Sequence, residues 1–394
     1  MPSATSTDTE HLRVCDEIDL PDLAQTVHAH AERSDSYPII VTRSLAQTVE
    51  RLAELAGDAQ LAIITDHTVD ALHGDQLRRA LLEAGIAHQT YSLPAGERSK
   101  CLTKASRLWD WLAASTIERR DFIVTFGGGV INDTGGWVAS AYMRGLPYLN
   151  LPTTLLAQVD AAMGGKVAVD HHTAKNLLGA FYQPAGVVSN VAFLATLDRR
   201  QLASGLAESI KKAVIASPAY WDLIEQNAEA IMARDLDVLE HVVHGAAAIK
   251  TVLVERDPYE DDLRRPLNFG HTIGHPLETI TGYGPLLHGE AVAFGMVVES
   301  RIAANRGLLA VEQLERLIAL LDRVNLPTTA NQLPVAVDAE SVLKAMAIVE
   351  RIRAGSLRYV LPVAFGETLI ADDVGEAEVR TALNECGVGP ASAA

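Results

Sequence analysis

The chain has 394 residues, 48% hydrophobic and 21% charged, and its 33 Lys and Arg against 50 Asp and Glu give a formal net charge of -17. This length suggests two domains. A surface this acidic repels nucleic-acid phosphates and anionic lipids, so neither a nucleic acid nor a membrane is expected as a partner. Cys15, Cys101 and Cys386 are odd in number and far apart, which indicates a reducing cytoplasm rather than a disulfide framework. The first ten residues lack the basic and apolar regions of a signal peptide, and no apolar run reaches the roughly 20 residues of a membrane span.

The sequence predicts alternating strands and helices in the first half of the chain. Short apolar, β-rich runs predict buried strands at 38–42, 61–65, 122–126 and 148–152. Apolar residues at helical spacing predict helices at 71–84 and 99–114. Such alternation is typical of a parallel sheet covered on both faces. We therefore predict an N-terminal extension (1–36) and a Rossmann-like α/β nucleotide domain (37–196).

Beyond residue 197 the pattern changes to long amphipathic segments. Helical spacing is found at 223–233, 238–254, 292–305 and 311–321. A late pair of strands is predicted at 357–363 and 368–372, before a last helix. We predict a mainly helical metal and substrate domain (197–394), so the fold class is α/β plus α. The cleft between the two domains is the expected site.

A glycine-rich turn follows the predicted strand at 122–126. Gly127, Gly128 and Gly129 precede a helical pattern that begins near Asn132. Glycines there allow backbone N–H groups to approach a pyrophosphate at a helix N-terminus, although the spacing is not G-x-G-x-x-G and a plain turn fits as well. Asp133 is suited either to accept hydrogen bonds from an amide or ribose, or to favour the helix dipole.

Two histidines four residues apart, His271 and His275, share one face of any helix over that segment. His288 and Glu208 add a third imidazole and a carboxylate, and one carboxylate plus two histidines is a sound set for a catalytic zinc with open positions. Structural histidines are the alternative interpretation. Pro276 is tolerated only near a helix start, so the helix is expected to begin close to His271.

Five cations lie in glycine-rich or apolar contexts. They are Lys166, Lys175, Lys211, Lys250 and Arg264. Each alone is compatible with an ordinary surface residue, but burial of unpaired charge is costly, so the group predicts an anionic partner. A phosphate and a carboxylate on one substrate would meet that need.

These segments resemble dehydroquinate synthase and its sugar phosphate cyclase relatives, from about Asp66 to Phe365. The most specific motifs, in order, are GGGVINDTGG, YMRG, PTTLLAQVDAAMGGK, AKNLLGAFYQP, GLAESIKK, LRRPLNFGHTIGH and LLHGEAVAFGM. The resemblance implies an enzyme that uses NAD and Zn2+, and the ligand types also allow Co2+. It implies a homodimer as well, because Arg144 matches an arginine that reaches the neighbouring subunit's phosphate site.

The resemblance also assigns roles to individual residues. Metal ligands fall on Glu208, His271 and His288. NAD contacts fall on Asp66, Glu97, Lys100, Gly128, Gly129, Asp133, Thr153, Thr154 and Lys175. Catalytic and substrate contacts fall on Asp160, Lys166, Asn176, Lys211, Lys250, Arg264, Asn268 and His275.

The implied reaction converts a heptulosonate 7-phosphate into a carbocycle and phosphate. NAD is transiently reduced, phosphate is eliminated, the hydride returns, and an intramolecular aldol step closes the ring. Lys166, Asn176 and His275 are expected to hold the phosphate, and Lys250 with Arg264 a substrate carboxylate, which arginine binds bidentately.

The chain departs from the family at two places. A usual Asp-Lys-Lys run is replaced by Val349, Glu350 and Arg351, so Arg351 is the expected replacement cation. A usual asparagine is replaced by Asp170, followed by two histidines. These changes raise the alternative of a secondary-metabolism cyclase acting on sedoheptulose 7-phosphate or an amino-heptulosonate phosphate. The retained Lys250 and Arg264 favour the carboxylated heptulosonate of the shikimate pathway and aromatic amino acid biosynthesis.

Two remoter alternatives are a metal-dependent glycerol or alcohol dehydrogenase and a catalytically silent relative. The first shares the two-domain plan and the glycine turn but has no need of Lys166, Asn176 or Arg264. The second draws support only from the altered Val349–Arg351 stretch, since the three expected metal ligands are intact.

Overall fold

A six-stranded parallel sheet organises the first half of the computed structural model. The structure describes residues 36–172, 174–259, 264–282, 284–352 and 357–389, with the backbone alone at 349–352. The strands in chain order are β1 (Ile39–Thr42), β2 (Leu61–Asp66), β3 (His88–Leu93), β4 (Phe122–Gly127), β5 (Tyr148–Pro152), β6 (Lys166–His171), β7 (Ala174–Phe181) and β8 (Gly186–Asn190). The sheet order is β1-β8-β5-β4-β2-β3, and β6 and β7 form a separate antiparallel hairpin.

Helices cover both faces of this sheet, as the continuous apolar strands require. They are α1 (Leu45–Ala56), α2 (His67–Val69), α3 (Asp75–Glu83), α4 (Leu102–Ala114) and α5 (Gly129–Ala141), with a wide helical turn at Asp70–Gly74 between α2 and α3. On one face α1 and α3 pack with Leu52 and Leu77 against Val124. On the other face α4 and α5 pack with Leu108 and Val138 against Ile123.

The second half is mainly helical, as predicted. Its helices are α6 (Arg199–Ala216), α7 (Pro218–Gln226), α8 (Ala228–Met232), α9 (Leu236–Arg256), α10 (His271–Ile280), α11 (His288–Asn305), α12 (Val311–Arg323), α13 (Ala339–Ile352) and α14 (Glu376–Glu385). The late strand pair is confirmed as the antiparallel hairpin of β9 (Tyr359–Ala364) and β10 (Glu367–Ala371). The helix predicted over 223–233 is interrupted at Asn227, between α7 and α8, where the amide of Asn227 donates to the carbonyl of Leu223 at 2.8 Å.

Two helices of this half are buried on nearly every side. In α6, every residue from Leu202 to Ile215 is buried, and α11 is buried almost as completely. Small residues let their backbones approach closely. A Cβ on Gly289 of α11 would lie 1.9 Å from the carbonyl oxygen of Ser204 in α6. The first turn of α11 is therefore pressed against the middle of α6.

The α/β plus α fold class is confirmed. Residues from Tyr37 onward form one compact unit by their contacts, and the proposed boundary at residue 197 stays a prediction. The predicted extension lies outside the described residues, except for Ser36. Among the helices that the structure describes, none combines the length and the hydropathy needed to cross a membrane.

Candidate active site

Glu208, His271 and His288 meet in the interior of the helical half. Glu208 lies in the middle of α6, whereas His271 and His288 are the first residues of α10 and α11. The Oε1 atom of Glu208 is 3.6 Å from Nε2 of His271 and 3.5 Å from Nε2 of His288. As expected from Pro276, α10 begins at His271, so the proline is the sixth helical residue.

Hydrogen bonds behind the two histidines aim their Nε2 atoms at Glu208. Nδ1 of His271 lies 3.1 Å from the carbonyl oxygen of Phe269, which can only accept, so Nδ1 donates. Burial lowers the pKa of His271 well below its ordinary value, so the ring is neutral and Nε2 keeps its lone pair. Nδ1 of His288 donates to Oε2 of Glu278 at 3.2 Å. A carboxylate or carbonyl behind each imidazole is the usual support of a metal-binding histidine.

The two oxygens of Glu208 face different groups. Oε2 lies 2.5 Å from Nζ of Lys211 and 3.5 Å from Nζ of Lys212. Burial raises the pKa of Glu208, but the charges of Lys211 and Lys212 outweigh it and hold the pKa well below its ordinary value. The carboxylate is therefore ionised. Oε1, although fully buried, has no hydrogen-bond partner in the described part of the chain.

This donor set fits a divalent metal. Ligand atoms of Glu208, His271 and His288 lie within 4.8 Å of one another, and a tetrahedral ion with bonds of about 2.0–2.2 Å would join them while leaving a position open. A zinc would also supply the partner that Oε1 lacks. A second grouping of His275, Glu278 and His288 shares His288 with the first and is not a separate site. Metal binding by the three residues stays a prediction.

The glycine turn lies at the carboxyl edge of the parallel sheet, where doubly wound folds bind nucleotides. Gly128 is extended and precedes α5, which begins at Gly129, three residues earlier than the predicted start near Asn132. The N–H of Thr153 donates to the carbonyl of Gly127 at 2.9 Å, and a Cβ on Gly128 would lie 3.0 Å from the side chain of Thr154. Asp66 ends the neighbouring β2 and caps α2.

A buried lysine joins the expected NAD contacts to one expected substrate contact. Nζ of Lys100 is 2.5 Å from Oδ2 of Asp133 and 2.5 Å from Oδ1 of Asn176. Burial lowers the pKa of Lys100, but Asp133 and other nearby carboxylates raise it above its ordinary value. Beside this group, Lys175 and Glu97 form an ion pair at 2.9 Å. The structure thus brings five of the predicted residues together.

Asp160 and Lys250 form the next cluster. Nζ of Lys250 is 2.7 Å from the carbonyl oxygen of Asp160 and 3.1 Å from its Oδ1. Burial lowers the pKa of Lys250 to about 8, although Asp160 opposes this shift. The pKa of Asp160 is lowered: burial raises it, but the positive charges of Lys212 and Lys250 prevail.

Arg264 uses part of its guanidinium within the protein. The side chain is buried, with 2% of the residue exposed, and Nη1 donates to the carbonyl oxygens of Asp257 at 3.3 Å and Pro258 at 3.1 Å. Its backbone N–H donates to Oδ2 of Asp257 at 3.1 Å. Nη1 therefore stabilises the turn after α9, whereas the buried Nε has no hydrogen-bond partner in the described part of the chain.

The remaining predicted residues are more scattered. The ring of His275 is 4.9 Å from that of His271, and Asn268 ends the short helical turn just before α10. Lys166 is exposed at the start of β6. Arg144 is exposed in a turn with a left-handed backbone (φ 67°), and no hydrogen bond or ion pair joins it to the other site residues in the described ranges. The side chain of Arg351 lies outside the described residues.

Comparison with known proteins accounts for this arrangement. The family model for the 3-dehydroquinate synthase N-terminal domain matches residues 90–204, and that for the C-terminal domain matches residues 205–351. The chain belongs to the 3-dehydroquinate synthase family of sugar phosphate cyclases. The family resemblance expected from the motifs is confirmed, and with it the assignment as an enzyme of this class.

Three relatives illustrate the range of this family. A 2-epi-valiolone synthase of Actinosynnema mirum is 52% identical over 94% of this chain and 97% of its own. A 3-dehydroquinate synthase of Desulforamulus reducens is 40% identical over 89% of this chain and 97% of its own. The solved structure of ValA (2-epi-5-epi-valiolone synthase) from Streptomyces hygroscopicus subsp. jinggangensis, with NAD+ and Zn2+ bound, is 29% identical and covers 92% of this chain and 99% of its own at a TM-score of 0.85.

Sequence reasoning about this cyclase missed three buried charged residues. Lys212 follows Glu208 at i+4, and Glu278 follows His271 at i+7, so helical spacing was the available signal for both. Glu299 lies within the apolar run of α11 and had no such signal. In the structure, its Oε2 accepts from the N–H of Gly270 at 3.0 Å, immediately before His271.

Glu299 gives the cyclase a pH-dependent stability. Burial raises the pKa of Glu299 to about 8, against the lowering effect of backbone N–H groups of α10. Because the folded state holds a proton that the unfolded state releases near pH 4.5, the free energy of unfolding should fall as pH rises from about 5 to 8, by about 2–4 kcal/mol from this group. We expect Glu299→Gln, which mimics the protonated form, to flatten this decline.

The measurement is denaturant unfolding of metal-stripped protein at several pH values between 5 and 8. Glu340→Gln is the matched control, because Glu340 is half exposed and pairs with Lys344 and Arg380 at the surface. Parallel pH profiles for the wild type and Glu299→Gln would show that Glu299 does not carry the effect.

Proposed function

We propose that the protein binds NAD and zinc and cyclises a seven-carbon ketose phosphate that lacks a carboxylate, of the sedoheptulose 7-phosphate type, to a valiolone-type product. The observation that carries this choice is the similarity to a 2-epi-valiolone synthase, which is 52% identical over 94% of this chain. Arg264 does not decide between the sugars, because its Nη1 donates to carbonyl oxygens of Asp257 and Pro258 whereas its buried Nε has no hydrogen-bond partner in the described part of the chain. Lys250 is bonded to Asp160.

The relatives support the same choice. Identity is 52% to the 2-epi-valiolone synthase and 40% to the 3-dehydroquinate synthase, at similar coverage. From sequence alone, retention of Lys250 and Arg264 favoured the carboxylated heptulosonate. The contacts weaken that preference for Lys250, which is bonded to Asp160, but not for Arg264, whose Nε lacks a partner in the described residues. The choice between the two sugars therefore rests on the comparison with relatives.

The cofactors are proposed from the residues that fit them. Zn2+, or Co2+, would be held by Glu208, His271 and His288. NAD would be held at the glycine turn by backbone N–H groups of Gly128 and Gly129, with the expected contacts at Asp66, Glu97, Lys100, Asp133, Thr153, Thr154 and Lys175 around it. ValA, solved with NAD+ and Zn2+ bound, is a related protein with this fold.

When bound, NAD supplies a reversible oxidation of the sugar, and the metal polarises the oxygen of the oxidised carbon. The chain's own residues position the substrate for these steps. Lys166, Asn176 and His275 would hold the phosphate, and Lys100 orients Asn176 by a bond to its amide oxygen. Asp160 and Lys250 would contact the sugar, together with Lys211 and Asn268. Arg351 would supply the remaining cation.

The assembly and setting follow from the same family pattern. We propose a homodimer in which Arg144 reaches the phosphate site of the second subunit, since that side chain is exposed and joined to no other predicted site residue in the ranges described. Widely spaced cysteines favour a cytoplasmic enzyme without nucleic-acid or membrane partners. A valiolone-type product would place the protein in secondary metabolism rather than in the shikimate pathway.

The test compares two sugars with one protein sample. Zinc-loaded protein with NAD+ is incubated separately with sedoheptulose 7-phosphate and with 3-deoxy-arabino-heptulosonate 7-phosphate, and phosphate release and product mass are followed. We expect kcat/KM to be at least about 100-fold higher for the sugar without a carboxylate, because a charged group that is buried without its full set of partners costs several kcal/mol.

Each other outcome contradicts a different part of the proposal. Phosphate release from the carboxylated sugar alone would overturn the substrate assignment and identify the heptulosonate 7-phosphate as the substrate. Net accumulation of NADH without phosphate release would overturn the cyclase reaction in favour of a dehydrogenase. Absence of turnover by protein that binds both NAD and zinc would favour the catalytically silent relative.

A further inference from the structure

Lys212 is a fully buried lysine beside the proposed metal site. Its side chain has 0% exposure, in α6. Its Nζ lies 2.7 Å from Oδ1 of Asp160 and 3.5 Å from Oε2 of Glu208. A buried ammonium is stable only when its charge is compensated, so these two carboxylates account for its position.

The contact with Glu208 acts on the oxygen that faces away from the histidines. Lys211 and Lys212 both lie beside Oε2, while Oε1 is directed at His271 and His288. Two cations on one side fix the rotation of the carboxylate. They also leave Oε1 as the oxygen free of hydrogen bonds in the described part of the chain. A partner bonded to the other oxygen of a ligating carboxylate commonly affects the affinity of the site for its metal.

The contact with Asp160 extends the arrangement toward the proposed substrate. Oδ1 of Asp160 lies between Lys212 and Lys250, at 2.7 and 3.1 Å, and its carbonyl oxygen accepts from Lys250. Asp160 is not within the group of possible metal-binding residues. Lys212 is therefore the one link, among the described ion pairs, between the carboxylate of Glu208 and that of Asp160.

We propose that Lys212 is a positioning residue that couples metal binding at Glu208 to the substrate side of the site at Asp160. The inference rests on the proposed zinc site. It predicts that a change at Asp160, which would bind no metal itself, alters zinc affinity through Lys212. A lysine that served only to stabilise the fold would give no such coupling.

The test is a double-mutant cycle on zinc affinity. Lys212→Met, Asp160→Asn and the double variant are titrated with zinc against a competing chelator, and unfolding of the metal-free proteins is measured in parallel. Lys344→Met is the matched control, because Lys344 is 74% exposed and pairs only with the surface residue Glu340 in the contacts described. We expect Lys212→Met to weaken zinc binding by about 10–100-fold.

Asp160→Asn should weaken zinc binding less, and in the Lys212→Met background it should have no further effect. The inference is overturned if Lys212→Met binds zinc as tightly as the wild type, or if the two substitutions act additively. Should Lys212→Met fail to fold, Asp160→Asn decides alone, since unchanged zinc affinity there would also overturn it. Failure of the wild type to bind zinc would instead contradict the proposed function.

Discussion

Glu208→Gln is expected to lower kcat/KM for the cyclised sugar phosphate by about 10³-fold or more. The substitution keeps the shape of the side chain but removes the negative charge from the proposed zinc ligand. It leaves Lys211 and Lys212 beside a neutral amide. The variant therefore loses both the metal and the negative charge that balances the two lysines. Metal chemistry contributes several kcal/mol to a transition state, which corresponds to a loss of this size.

Two measurements check this expectation. Phosphate release gives the kinetic loss, and metal analysis after dialysis should show that the variant retains far less zinc than the wild type. Glu340→Gln makes the same chemical change at a half-exposed surface pair and should leave both quantities unaltered. Retention of zinc and activity by Glu208→Gln would show that the metal is held elsewhere.

Gly289→Ala is expected to destabilise the protein by about 3 kcal/mol and to weaken zinc binding. The added Cβ would lie 1.9 Å from the carbonyl oxygen of Ser204, a backbone atom of the buried helix α6 that cannot rotate away. Overpacking of this kind typically costs 1–3 kcal/mol. Because α11 must move to relieve the contact, and His288 is its first residue, the separation of His288 from Glu208 should grow as well.

Denaturant unfolding of metal-free protein and a zinc titration separate the two effects. Gly375→Ala is the matched control: the nearest atom to its Cβ would be a carboxylate oxygen of Glu378 at 3.7 Å, and its backbone is extended. If Gly289→Ala had the stability and the zinc affinity of the wild type, the close approach of α6 and α11 would not determine the geometry of the zinc site.

The parts of the fold with a strong apolar pattern were predictable from sequence. β2, β4 and β5 are buried on both faces, so their residues form continuous apolar runs. The edge strand β3, with the polar sequence HQTYSL, carries no such pattern and was missed. Helix α6 was also missed, because its polar residues, Glu208, Lys211 and Lys212 among them, are buried with the apolar ones and do not form a separate polar face.

The site divides in a similar way. Residue type, order and family resemblance predicted Glu208, His271 and His288, and the fold brings them together. The same reasoning could not assign partners to the cations. Whether Arg264 faces a substrate or a backbone carbonyl depends on the turn after α9, and the i+4 spacing of Lys212 from Glu208 does not show that Lys212 is buried. Those choices are made by tertiary contacts.

Because the cations are buried, the electrostatic field that acts on an anion changes sign with distance from the site. Lys100, Lys211, Lys212 and Lys250 are all buried, whereas the chain as a whole carries a formal charge of -17. A phosphorylated sugar approaching from solution therefore meets a repulsive field first and an attractive one only within the site. Mobile ions screen the outer field over roughly 8–10 Å but reach buried pairs poorly. Added salt should therefore raise the association rate of the substrate more than it weakens the contacts of the bound substrate.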